Sequence, residues 1–172
     1  EHLTDLAMSV WGTATMRNGG EDICQLFKLI GVQPIWDGPT RRMIDLEVIP
    51  LEILERPRVD VRLRISGLFR DAFPQLIYWV DKAQQLIGNL KEPKEMNPLS
   101  YQIQKDGYQP RIFGSAPGAY GAGLQEIIDN GSWEDRSDIA RAYIEWSKWI
   151  YHADKEPIEN SEYIIKGNKN KW

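Results

Sequence analysis

The sequence predicts an α/β fold: a layered, largely parallel sheet with flanking helices, followed by a glycine-rich loop and C-terminal helices. Three observations predict it. Over residues 1–91, short apolar runs alternate with amphipathic helical stretches, the signature of an α/β layer structure. Glycines then crowd into "RIFGSAPGAYGAGLQEIIDN", Arg111 to Asn130, which is too poor in side chains to fill a core. Beyond it helical spacing returns at Ile139, Tyr143, Trp146 and Ile150. The chain thus divides into an α/β subdomain (1–91), a glycine-rich loop with a helical segment (92–153) and a polar tail (154–172). Within the tail "EYII" (Glu162–Ile165) is expected to dock or pair locally. No internal repeat is visible.

Leu6 to Trp11 is a continuous apolar run and reads as a buried strand. Asn18, Gly19 and Gly20 break the chain. A helix follows from about Glu21, with acids in its first turn and Ile23, Leu26, Phe27 and Ile30 on one face. Gly31 closes it. Gln33–Trp36 reads as a second strand, Asp37-Gly38-Pro39 as a turn, and Arg42–Ile49, where apolar and charged residues alternate, as a half-exposed strand. Pro50 to Pro57 is a connection with one helical turn. Asp60–Gly67 is the clearest strand, with Val61, Leu63 and Ile65 on one face and Arg62 and Arg64 on the other. A long helix follows through Phe73, Leu76, Ile77, Val80, Ala83 and Ile87, with Asp71 as its N-cap, Pro74 in its first turn and Gly88 at its end. "KEPKEMNP" reads as a polar connection. A short helix spans Leu124–Asp129, and Ser132 or Asp135 caps the last one.

The charge balance excludes some partners. With a net charge of −4, neither nucleic acid nor an anionic membrane is expected as the main partner. No apolar run approaches the roughly 18 residues of a membrane span. Cys24 is the sole cysteine, so no internal disulfide forms and a reducing, cytoplasmic compartment is expected. The chain opens without Met and runs almost directly into a strand, as a piece of something longer would.

Most catalytic arrangements have no candidate. His2 and His152 lie near opposite ends, without partners at metal spacing, so no metal site is expected. The glycine loop lacks the Lys-Ser/Thr of a phosphate-binding loop. Its G-x-x-G-x-G order is not that of a dinucleotide fold, and no clear strand leads into it. Two readings of the loop stay open: a backbone that approaches a ligand closely, or a turn whose glycines supply positive φ. Arg56, Arg58, Arg62, Arg64 and Arg70 crowd together, and guanidinium forks suit carboxylates; a solvated strand face with ion pairs accounts for them equally well. Ser66 and Trp11-Gly12-Thr13 follow strand ends, where α/β sheets place ligands. Trp36 also sits at a strand end.

Three blocks, "SVWGTATMRNGGEDICQLFKLIGVQPIWDG", "LEVIPLEILERPRVDVRLRISGLFRDAFPQLI" and "RIFGSAPGAYGAGLQEIIDNGSWEDRSDIARAYIEW", resemble consecutive blocks of the large subunit of ATP-dependent metal chelatases. That family comprises the cobaltochelatase large subunit of aerobic cobalamin synthesis and the H subunit of magnesium chelatase. The likeness runs from about Leu6 to about Trp146, and "GSAPGAYGAGLQ" is closer to the cobalt type. It implies a flat tetrapyrrole substrate with several carboxylates, cobalt or magnesium as the inserted metal, and ATP hydrolysed by separate AAA+ motor subunits. It implies a substrate surface built from Trp11, Gly12, Thr13, Ser66, Arg70, Arg111, Gly114, Ser115, Gly118, Tyr120, Gly121 and Gly123, with Arg70 and Arg111 pairing with substrate carboxylates. The family's His-Gly-Thr-Leu-Glu segment, with its candidate catalytic His and Glu, has no counterpart here. The family's acidic, His-containing block after the last helix is replaced by the polar tail. The stretch between Asn97 and Arg111 is shorter than usual. The chain therefore reads as a fragment that works with the remainder of the large subunit. By itself it is expected neither to hydrolyse ATP nor to insert metal; a non-catalytic structural or motor-docking module is the alternative.

Overall fold

The structure, a computed structural model, describes residues 2–159. The expected "EYII" pairing lies outside them. In chain order the elements are β1 (Asp5–Val10), α1 (Gly12–Asn18), α2 (Glu21–Ile30), β2 (Val32–Trp36), β3 (Met43–Val48), α3 (Leu51–Leu54), β4 (Asp60–Ile65), α4 (Gly67–Ala72), α5 (Pro74–Gly88), α6 (Pro98–Asp106), β5 (Ile112–Gly114), α7 (Gln125–Asp129), α8 (Arg136–Trp146), β6 (Trp149–Ile150) and β7 (Ile158–Glu159).

The main sheet has the order β1-β4-β5-β6-β7. β1 and β4 run parallel, Leu6 opposite Val61 and Val10 opposite Ile65, as the two apolar runs predict. β5 lies parallel to β4, while β6 and β7 add antiparallel strands at the far edge. β2 and β3 form a separate antiparallel hairpin. Leu26, Ile30, Val61, Leu63, Ile65, Phe69, Val80 and Ile112 form the centre of the core, each almost wholly buried. α2, α4 and α5 therefore pack on the Val61–Leu63–Ile65 face of the sheet.

Several local expectations are corrected. Gly12–Asn18, to which the sequence pattern assigns no element, is a helix closed by Gly19 at φ 70°. The long helix is two helices. Ser66, not Asp71, is the N-cap, its Oγ accepting the Phe69 N–H at 3.2 Å. Phe73 at φ −131° breaks the run and Pro74 starts α5, where its missing N–H costs nothing. Pro98 likewise starts α6 inside the stretch read as connection, behind an Asn97 cap. Ile112–Gly114 does lead the chain into the glycine loop as a strand. Three residues carry no readable alternation, and pairing with β4 and β6 decides their conformation. Asp135 rather than Ser132 caps α8. The helix ends at Trp146, so Ile150 belongs to β6 instead of the helix face. β7 pairs with β6 within the stretch read as tail.

Polar cross-links hold the layers. Arg58 is 1% exposed. It donates to the carbonyls of Gly31 and Ile49, both at 2.9 Å, and to Glu92 at 2.7 and 2.9 Å. It thus ties the end of α2, the end of the hairpin and the α5–α6 connection. Arg58→Ala leaves Glu92 without its cation, and removes a donor from the Gly31 and Ile49 carbonyls, in a nearly dry site. A loss of about 3–5 kcal/mol is expected in chemical denaturation; a loss below about 1 kcal/mol would remove this role.

Candidate functional site

The C-terminal ends of β1, β4 and β5 meet at one edge of the sheet, and the chain leaves β4 and β5 through small residues. Trp11 stands at the N-cap of α1 and is 46% exposed. Gly12 is buried behind it and donates its N–H to Ser66 Oγ at 3.1 Å. Thr13 is exposed. One buried hydroxyl, Ser66, therefore receives N–H groups from the starts of two helices. Gly67 follows it because the glycine loop passes so close: a Cβ there would lie 2.4 Å from the Ala119 carbonyl oxygen.

The loop is held from beneath by Arg70. Its Nη1 donates to the carbonyls of Ala116 at 2.6 Å and Ala119 at 3.2 Å. Its other donors form a two-point pair with Asp71 at 2.6 and 2.8 Å. Ser115 is buried, donates to Ala119 O at 2.8 Å and has its own carbonyl bonded by the Tyr151 hydroxyl at 2.5 Å. Gly114 is packed against Ile65 and Tyr151, and Gly123 against the Trp146 ring. Gly118 and Gly121 differ. Both are exposed, adopt φ 78° and 85°, and have nothing within 4 Å of an added Cβ. They are the two places where bare backbone turns toward solvent. Tyr120, 59% exposed, stands between them with its hydroxyl on Asp71 at 2.6 Å.

Two expected substrate contacts are corrected. Arg70 is 8% exposed, and its guanidinium is already engaged by the loop's carbonyls and Asp71. Arg111 is 1% exposed and sits at the opposite end of β5, away from the glycine loop. It pairs with Asp60 at 2.7 and 3.0 Å and also bonds Gln102 and the Gln109 carbonyl. Both guanidinium groups are thus occupied by the chain's own carbonyls and carboxylates. Trp36 lies apart on the hairpin, in a groove with Met16, Phe27, Phe73 and Leu76.

The structure adds residues that the sequence reading did not place in the site. Arg64 projects from the sheet's other face, bonds Ser147 Oγ at 3.3 Å and Gly121 O at 3.2 Å, and lies 5.2 Å from the Tyr143 ring centre and 5.8 Å from that of Trp11. It joins the loop, α8 and the end of β1. Alternation along β4 signalled its face but not these partners. Asp71, expected as a cap, is the loop's latch. A cavity of about 480 Å³ opens beside the loop, lined by Ala116, Ala119, Gly123, Trp146 and Trp149. Among the described residues no group of three or more His, Cys, Asp or Glu side chains gathers to hold a metal ion.

The Arg70 guanidinium holds the Asp71 carboxyl below its ordinary value, against the opposing pull of partial burial, and the Tyr120 hydroxyl adds to the lowering. A depressed carboxyl stabilises the fold fully above its ordinary value and loses that contribution as pH falls through the lower folded one. The latch should therefore hold at neutral pH and open only below about pH 4. Hydrogen exchange of residues 116–121, corrected for intrinsic rates, should accelerate only there; acceleration starting near neutrality would contradict it. For Arg111→Ala we expect a loss of about 3–5 kcal/mol of stability from the orphaned, buried Asp60. Ligand affinity of the surviving folded protein should be unchanged, read by a melt beside a titration.

Comparison with known proteins gives the family. The family model described as CobN/Magnesium Chelatase matches residues 1–167. The aerobic cobaltochelatase subunit CobN of Pseudomonas aeruginosa is 46% identical over 169 residues, 89% of this chain and 14% of that protein. The magnesium-chelatase subunit ChlH of Oryza sativa subsp. japonica is 30% identical over 158 residues, 87% of this chain and 11% of that protein. The solved catalytic subunit of cobaltochelatase from Mycobacterium tuberculosis superposes with a TM-score of 0.87 at 41% identity, covering 98% of this chain and 15% of that one. The chain spans only a small part of each relative, and its identity is higher to these cobalt-type proteins than to the magnesium-type one. Matched by the family model over residues 1–167 of its 172, the chain belongs to the CobN/magnesium chelatase family.

Proposed function

We propose that this chain forms one wall of the tetrapyrrole cleft of a cobaltochelatase-type large subunit, serving ATP-dependent insertion of cobalt into a corrin in cobalamin biosynthesis. One observation carries the reading: a side-chain-poor loop is held rigidly at the C-terminal edge of three parallel strands, beside exposed Trp11 and the Trp146–Trp149 cavity. A flat macrocycle needs such a surface, because its face stacks on rings and its edge requires backbone without side chains. Gly118, Gly121 and Tyr120 would meet the macrocycle edge, and Trp11, Gly12 and Thr13 would border it. Ser66, Arg70, Ser115, Gly114 and Gly123 act one layer back by holding the loop. Cobalt is the substrate metal, with magnesium as the alternative in the chlorophyll-type branch. ATP is hydrolysed by AAA+ motor subunits that dock on the assembled large subunit in the cytoplasm.

A second reading rests on a specific observation. Arg70 and Arg111 both bind this chain's own groups, which suits a purely structural or motor-docking module. Titration of a corrin or porphyrin into full-length large subunit separates the two. Trp11→Leu and Gly121→Val should weaken binding by about 2- to 12-fold, the worth of one aromatic contact of about 0.5–1.5 kcal/mol. Their melting temperatures should fall by only a few degrees. Unchanged affinity in both variants would leave the structural reading alone standing.

A further inference from the structure

Among the described residues the sheet ends at β1, which pairs there with β4 alone. The carbonyls of Thr4 and Val10 accept the N–H groups of Asp60 and Ser66. By the two-residue period of a strand, Leu6 and Met8 also turn their backbone groups toward β4, and Ala7 and Ser9 turn theirs toward the free edge. Leu6 to Val10 contains no Lys, Pro or bulge, the features that guard a natural sheet edge.

Among the described residues the face above this edge is equally open. Parallel strands are normally covered on both faces. Here the helices take the Val61–Leu63–Ile65 face, while on the other α8 and the glycine loop reach only as far as Arg64. Ala7 and Ser9, opposite Arg62 and Arg64, are exposed. Arg62 is 41% exposed and has one long contact, 3.9 Å to Asp60. That carboxylate is already taken by Arg111. A guanidinium with spare donors beside the uncharged stretch Leu6–Val10 calls for a segment carrying a carboxylate.

We propose that, in the large subunit, a strand from outside these residues continues the sheet at β1. The polypeptide attached to that strand covers the face of Ala7 and Ser9 and brings an Asp or Glu to Arg62. This rests on the reading that the chain works within such a subunit. The supporting length comes from the solved cobaltochelatase subunit, to which this chain is similar at a TM-score of 0.87: the chain covers 15% of it, so most of that polypeptide lies outside the matched part.

Hydrogen exchange read by mass spectrometry on the peptide spanning residues 5–10 tests it, comparing this chain with the full-length large subunit. In this chain the amides of Ala7 and Ser9 should exchange fast and those of Leu6, Met8 and Val10 slowly. In the full-length subunit two further amides should slow by about 100-fold or more. Arg62→Glu should speed them again there while changing nothing in this chain. Fast exchange of Ala7 and Ser9 in the full-length subunit overturns the proposal. Protection that appears in this chain and grows with its concentration also overturns it, by making a second copy the occupant. Protection that appears in the full-length subunit only after a porphyrin is added overturns it too, by making the ligand the cover. A porphyrin titration of the same preparation keeps the two readings apart: binding with a fast edge sinks this inference alone, and a slow edge without binding sinks the cleft alone.

Discussion

A loop almost without side chains cannot fix its own shape, and here Arg70 fixes it. One guanidinium gathers the Ala116 and Ala119 carbonyls on one side and Asp71 on the other. Tyr120 closes the circuit from the loop's tip back to Asp71. Backbone carbonyls turned toward a buried cation lose little of the hydrogen bonding that water would have given them, so the loop stays ordered without a core of its own. Everything proposed for the sheet's C-terminal edge follows from that. A loop free to collapse onto Trp11 and Trp146 would leave no open wall.

The same use of arginine recurs through the molecule. Arg58 satisfies carbonyls at the ends of α2 and the hairpin, Arg56 those of Leu29 and Pro57, and Arg111 pins Asp60 where the parallel strands begin. A density of arginine that suggests carboxylate ligands is largely a set of internal staples. Buried charge pairs of this kind give geometry more than net stability, since desolvation offsets much of the attraction. The C-terminal segment is fastened in the same manner. Asp81 is buried, which raises its carboxyl, but the His152 ring 3.7 Å away and hydrogen bonds from the Tyr108 hydroxyl and the Ala153 N–H outweigh that and keep it lowered. A single helix residue thus anchors the chain just after β6.

The sheet mixes two regimes. β1, β4 and β5 run parallel and present their C-terminal ends together, the place where open α/β sheets put ligands. β6 and β7 turn back antiparallel and carry the chain away from that edge. α8 lies between the regimes, with Tyr143 against Arg64 and Trp146 against Gly123. It buries no residue completely, so its place is set by those aromatic contacts instead of a core face.

The sequence by itself determined the class of fold, the β1–β4 pair, helix α2, most of α5 and the family. These rest on local signals: continuous apolar runs, helical spacing, a glycine stop, and long motifs such as "RPRVDV" and "FGSAPGAYGAGLQ". Tertiary structure alone decided the rest. Ile112–Gly114 and Trp149–Ile150 are too short for a period and become strands only because neighbours pair with them. Pattern reading joined α4 to α5, because the apolar face continues across Phe73 although the backbone does not. It placed Arg70 and Arg111 in the cleft because a residue type announces its chemistry but not its partner. Whether a guanidinium meets a ligand, a carbonyl or a buried aspartate depends on what the fold brings within 3 Å of it, and that distance is not written locally in the chain.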